Sequence, residues 1–151
     1  MPSFAKGGAP LTPFGNNEYL RSTDPAPQKE SYTVAAATVA VETIDGVPGQ
    51  KILKPGEVMA KITSGADAGK VGPFQAGAAD GRQTLANIVG LNDTFLPWQL
   101  MEHDEQIAVT YDCTAVQAWC TERDAAGVRV VLTNTTADAM RSTKGLDVKF
   151  K

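Results

Sequence analysis

Between Gly56 and Thr63, Val58, Ala60 and Ile62 alternate with Glu57, Met59, Lys61 and Thr63. That is the period of two expected of a strand with one buried face and one mostly wet face. Asp80-Gly81 then marks a tight reversal, because Asp can hydrogen-bond its own backbone two residues on and Gly takes a positive φ without a Cβ clash. The reversal returns the chain into a second apolar run, Leu85 to Leu91. Upstream, Tyr32 to Ile44 (YTVAAATVAVETI) is rich in β-branched residues and ends at the turn pair Asp45-Gly46. Its alanines leave room for a short helix over Val34 to Ala37. Pro48-Gly49 and Pro55-Gly56 bracket Lys51 to Lys54 as a loop or hairpin. The Gly- and Ala-rich stretch Ser64 to Ala79 holds a small strand at Val71 to Gln75.

The second half continues in strands. Thr94 to Asp104 has no clean period and carries Phe95, Leu96, Pro97, Trp98 and Leu100, which either close one end of the core or contact a partner. Gln106 to Ala118 reads as a strand with Ile107, Val109 and Tyr111 on one face, and its later change of phase predicts a bulge near Asp112-Cys113. Arg123 to Gly127 is a turn and Val128 to Thr133 a strongly β-forming strand. Asn134-Thr135-Thr136 can cap a helix over Ala137 to Ser142, which Gly145 stops. Leu146 to Phe150 alternates cleanly as a final edge strand with Lys on its wet side. The predicted class is mainly β with one or two short helices.

Residues 1 to 31 differ. Pro2, Pro10, Pro13, Pro25 and Pro27, with Gly7, Gly8 and Gly15, exclude a helix or a central strand. This divides the chain into a Pro/Gly-rich arm, 1 to 31, and a β-rich domain, 32 to 151. The arm still carries spaced apolar residues, Phe4, Leu11, Phe14, Tyr19 and Leu20, which a purely solvating tail would not need. Two readings stay open: a disordered terminus that happens to hold aromatics, or an extended arm that docks them on a partner.

A chain of 151 residues can bury a core without disulfides or metal. Its net charge of -3 is mild and its Lys and Arg are scattered, so no basic stripe follows a phosphate backbone. No run approaches the ~20 apolar residues of a membrane span. No basic-then-apolar leader opens the sequence, which points to the cytoplasm or to an assembly made there. Cys113 and Cys120 with a single His cannot make an ordinary four-ligand zinc site within one chain. Both cysteines read as reduced and packed, with a disulfide as the lesser alternative.

Candidate chemistry is thin. Glu102-His103-Asp104-Glu105 concentrates titratable groups, but neighbours on a loop do not converge on one point and no matched nucleophile is legible, so a solvated turn is the reading. The run also lacks the spacing and the Gly of a calcium loop. Gly65 to Lys70 looks like a phosphate loop only in part, since Val71-Gly72-Pro73 supplies no helix N-terminus behind it. Asn92-Asp93-Thr94 and Asn134-Thr135-Thr136 match the glycosylation sequon and read as turn and cap. Trp98 and Trp119 fit core or interface positions better than ligand stacking. No catalytic, metal or cofactor residues are assigned, and the chain is not expected to be an enzyme.

Three segments taken together resemble a known family. Pro55 to Thr63 (PGEVMAKIT), Ala79 to Thr84 (ADGRQT) leading to Ile88-Val89, and Ile107 to Tyr111 (IAVTY) leading to Val116-Gln117-Ala118 are similar, in order and spacing, to the head decoration proteins of tailed bacteriophages, the lambda type. In that family a G-x-V-L-x-x-I-T strand precedes an A-x-D-G turn and a strand ending in V-N-A. The likeness covers about Lys51 to Ala118, follows a Pro/Gly-rich arm, and leaves the loop around Trp98 and residues 122 to 151 as extensions.

The resemblance implies a small β-barrel or tulip-like domain that trimerises and sits at three-fold positions outside an expanded capsid. There it would cement the major capsid protein against the pressure of packaged DNA, with no cofactor, no direct nucleic-acid contact and no membrane. Phe4, Leu11, Phe14, Tyr19 and Leu20 would be the capsid-binding arm. Phe95, Leu96, Pro97, Trp98 and Leu100 are candidate trimer contacts on account of their aromatics. The alternatives are another virion component, such as a tail or head-completion protein, and less favourably a carbohydrate-binding β module.

Overall fold

Short β-branched runs separated by Gly and Pro turns can bury their apolar faces only by pairing with distant parts of the chain. In the computed structural model, which describes residues 18–22, 26–44 and 46–151, that pairing dominates. The strands are β1 (Leu20–Ser22), β2 (Gln28–Val34), β3 (Glu42–Ile44), β4 (Val47–Gln50), β5 (Val58–Lys61), β6 (Val71–Pro73), β7 (Ile88–Asn92), β8 (Glu105–Ala115), β9 (Thr121–Arg123), β10 (Arg129–Val131) and β11 (Asp147–Phe150). Among the described residues there is one α-helix, α1 (Asn134–Ser142), and short 3-10 turns at Ala36–Thr38, Leu85–Asn87, Gln99–Met101 and Gln117–Trp119. The fold is mainly β, as the sequence pattern predicts.

Strands β8, β2, β6, β5 and β7 pair in that order, and β7 pairs back onto β8, so the five close into a ring. Closure removes the free edges that an open sheet would present. Val34, Met59, Val71, Ile107 and Val109, from four of the five strands, fill the ring, and Leu53, Leu96 and Leu100 pack with them. Gly90 permits the closure. It sits at φ +142, and a Cβ there would lie 2.3 Å from the Thr110 carbonyl oxygen on β8, so only Gly lets the two strands approach.

The longest strand, β8, is the spine. Along one edge run β1 and β2, both antiparallel to it, and along the other lie β7 and, in parallel, β11. The register slips where Gln28 faces Asp112 but Lys29 faces Thr110, leaving Tyr111 as the extra residue. The bulge expected near Asp112-Cys113 therefore falls one position earlier, and it hands the strand from β2 to β1.

Two sequence readings change. The alternation around β5 holds only at its end, where Lys61 and Thr63 are exposed on either side of buried Ile62; Glu57 and Met59, expected on the same wet face, are fully buried with Val58 and Ala60, because both sides of the ring are covered there. The arm does not extend to residue 31, since β1 and β2 belong to the main sheet. Residues 122 to 151, an extension only relative to the family likeness, are integral to the packing. Leu132, Ala137 and Met140 of the helical segment and Val148 and Phe150 of β11 share a core with Val58, Ala60, Ile88 and Leu91. The helix ends at Ser142 as its sequence suggests but begins at Asn134 rather than Ala137, because its N-cap is Thr133, whose Oγ1 accepts from the Thr136 amide at 3.3 Å.

Candidate functional site

Of the five apolar residues assigned to the arm, Phe4, Leu11 and Phe14 lie outside the described residues, Tyr19 is enclosed by the chain itself, and Leu20 packs partly against the core. Tyr19 is 1% exposed in the chain's own core. Its hydroxyl donates to Asp93 Oδ1 at 2.6 Å and lies 2.9 Å from Thr110 Oγ1, and burial followed by the Asp93 contact pushes its ionisation well above the usual tyrosine range. Gly56 makes room for it: at φ +87, a Cβ on residue 56 would come 2.8 Å from Tyr19 Cβ. Leu20 is half-buried and pairs through β1 with Ala115.

The candidate contact loop divides similarly. Leu96 and Leu100 are buried at 5% and 1% exposure, and backbone hydrogen bonds in both directions between Leu53 and Leu96, 3.0 and 2.9 Å, pin the loop over the end of the ring. Phe95 and Pro97 are half-buried. Trp98 is 54% exposed and Met101 51%, so these two side chains lead the apolar surface the loop offers. The sequence reading included Trp98 and missed Met101, which follows it by one 3-10 turn.

The titratable run 102 to 105 is a fastening. Asp104 accepts from the Ala36 amide at 2.8 Å and from Lys70 Nζ at 2.6 Å, and Lys70 also donates to Asp67 at 2.8 Å. The Lys70 bond and the amide hold the Asp104 carboxyl below the usual carboxylate range, and the same pairings push Lys70 up to about 12. The Gly65 to Lys70 loop is thereby tied to the start of β8, and His103 Nδ1 rests 3.2 Å from Glu105. Among the described residues no group of three His, Cys, Asp or Glu is placed to hold a metal ion, and no helix is long and apolar enough to cross a membrane. Asn92 spends its amide on the carbonyls of Lys54 and Thr94, which makes the first sequon a buried turn.

The cysteines are both free and buried. Burial, reinforced by neighbouring carboxylates led by Asp112 for Cys113 and by Cys113 for Cys120, pushes both thiols up to about 12. They are packed side chains without thiolate chemistry at neutral pH.

What the sequence reading missed is a buried charge network at the start of β5. Glu57, with no exposed surface, accepts from Arg123 Nε at 2.6 Å and from Arg129 Nη1 at 2.6 Å. Arg129 also donates to Glu42 Oε1 at 2.8 Å and to the Ile52 carbonyl at 2.7 Å, and Arg123 donates to the Gly127 carbonyl at 3.2 Å. Burial alone would raise the Glu57 carboxyl, but the two guanidinium groups outweigh it and hold the group below the usual carboxylate range. Two arginines against two carboxylates leave the cluster neutral. The one sequence signal was an Arg inside the β-branched run Val128 to Thr133; nothing there named its partners.

Beside this network lies a cavity of about 200 Å³, lined by Glu18, Tyr19, Pro55, Trp119, Thr121 and Arg129 among others. Trp119 is 60% exposed. Two buried polar atoms, Thr121 Oγ1 and Arg129 Nε, have no hydrogen-bond partner among the described residues, and both belong to residues of this lining. A more open depression of about 270 Å³ lies between Tyr32, Tyr111 and Leu146. Comparison with protein-family models, curated proteins and solved structures found no match to the chain.

Proposed function

We propose that the protein decorates a phage capsid, binding the outer surface of the expanded head as a trimer and stiffening the shell against internal pressure. The observation that carries this reading is the ordered set of three motif segments, Pro55 to Thr63, Ala79 to Thr84 and Ile107 to Ala118. They supply β5, the turn that leads into β7, and most of β8, which are neighbours in one closed ring. The charged clusters support a binding rather than a chemical role, since each is consumed in holding the fold. A trimer would present every weak shell contact three times, so the second and third form at high effective concentration and release is slow.

The contact residues are narrower than the sequence implied. Tyr19, Leu20, Leu96 and Leu100 serve the interior, which leaves Phe4, Leu11 and Phe14 for the shell and Trp98 with Met101 for the neighbouring subunit. The deletion that isolates the arm is therefore residues 1 to 17, since removal of 1 to 31 would also take β1 and part of β2. The test is occupancy of expanded, undecorated heads by the full chain and by the shortened chain, with sizing of both. Bound full-length trimers and a large loss of occupancy on shortening are expected. Failure of the full chain to bind would overturn the function, and undiminished binding by the shortened chain would overturn the role of the arm.

A further inference from the structure

We infer that the Trp119 cavity is a peptide-binding site whose occupant is the protein's own N-terminal segment, with the Pro13-Phe14 pair entering it. Size, charge and chain position each narrow the choice. Drug-sized ligands occupy pockets of about 300 to 1,000 Å³, whereas about 200 Å³ suits one or two residues. Of the charged residues in the lining, Glu18 and Lys54 are of opposite sign, and Arg129 lends a donor without lending a net positive charge, because Glu57 and Glu42 already balance it together with Arg123. Arg129 Nε and Thr121 Oγ1, without a partner among the described residues, therefore suit a neutral acceptor, a backbone carbonyl, better than a phosphate or a carboxylate. The exposed indole of Trp119 with Pro55 offers the flat apolar wall on which proline-containing extended peptides pack.

The chain supplies such a peptide at the cavity's rim. Residues 1 to 17 contain Pro2, Pro10, Pro13, Phe4 and Phe14, and they run directly into Glu18, itself part of the lining. Phe14 precedes Glu18 by four residues, a reach of about 14 Å when extended. A tether that short gives a local concentration in the millimolar range, so a weak site suffices. The inference concerns the free protein and stands apart from the capsid reading.

The experiment follows Trp119 emission in a Trp98→Phe background, where Trp119 is the single tryptophan. Removing residues 1 to 17 should shift the emission to the red, and a synthetic peptide of residues 1 to 17 should reverse the shift saturably. Pro13→Ala with Phe14→Ala in the full chain should give the same red shift without any truncation. Thr121→Val should weaken peptide binding by roughly two- to tenfold, the worth of one hydrogen bond. Emission indifferent to the segment, with no saturable response to the peptide, would overturn the site. Emission that changes with protein concentration would place the segment in a neighbouring copy and overturn the intramolecular assignment.

Discussion

Glu57 shows how far one residue can stand from its local pattern. Its position in the alternation assigns it to solvent, yet it holds two arginines in a fully enclosed site. Removing one partner of a buried pair strands the others, so Glu57→Gln should cost about 3 to 5 kcal/mol in chemical denaturation at pH 7. The pH dependence has a definite sign. The folded carboxyl ionises below its unfolded value of 4.5, so its contribution is complete above that value and is lost as pH falls through the folded one. Wild-type stability should therefore drop below pH 4.5, and the Gln variant should lose part of that drop. The two thiols work in the opposite sense: folded near 12 against 9.0 unfolded, they favour folding below pH 9 and lose that contribution as pH rises towards 12. At neutral pH a thiol reagent should leave Cys113 and Cys120 untouched until denaturant is added. These partners were not legible because each is set by contacts across 66 to 72 residues of chain, which no local period encodes.

At the scale of elements, the sequence pattern located strands, turns and the helix well, since alternation, Gly and Pro are local properties. It misjudged which faces stay wet. Met59 looked outward because a single sheet layer has one core face, but the ring has a filled inside and an outside covered by α1 and β11. It also ended the arm too late, because β1 and β2 are joined through Pro25 and Pro27 and their pairing is with β8, far along the chain. Tyr19→Phe tests this boundary. The change leaves the Thr110 hydroxyl, fully buried, without its partner and should cost about 1 to 3 kcal/mol by thermal or chemical unfolding, a loss that an arm residue would not show. The helix cap is a milder test: Thr133→Ala should cost about 1 kcal/mol.

For the whole molecule, nearly every stabilising feature joins distant parts of the chain. The Tyr19 hydroxyl meets Thr110 across 91 residues, and the Glu57 network draws on β3, the residue before β5, and both strands of the β9-β10 hairpin. The candidate partner surfaces are among the large apolar side chains left exposed after that joining, which also include Val41, Val128 and Val131: Trp98 with Met101 in the loop pinned to Leu53, and Trp119 beside its cavity. Their exposure was not readable from sequence, because Leu96, Trp98 and Leu100 are alike in character and only the packing against Leu53 separates inside from outside.

The parallel pairing of β11 with β8 carries a consequence for how the protein is made. Residues 147 to 150 complete the core that holds Val58 and Ala60, so a nascent chain emerging from a ribosome cannot close that core until those residues have appeared. Closing so many long loops at once places refolding in the millisecond-to-second range typical of β-sheet proteins with distant pairings. Until then Val58, Leu91 and their neighbours stand open to other chains, and a product cut before Leu146 should collect in the insoluble fraction while the 151-residue chain stays in solution.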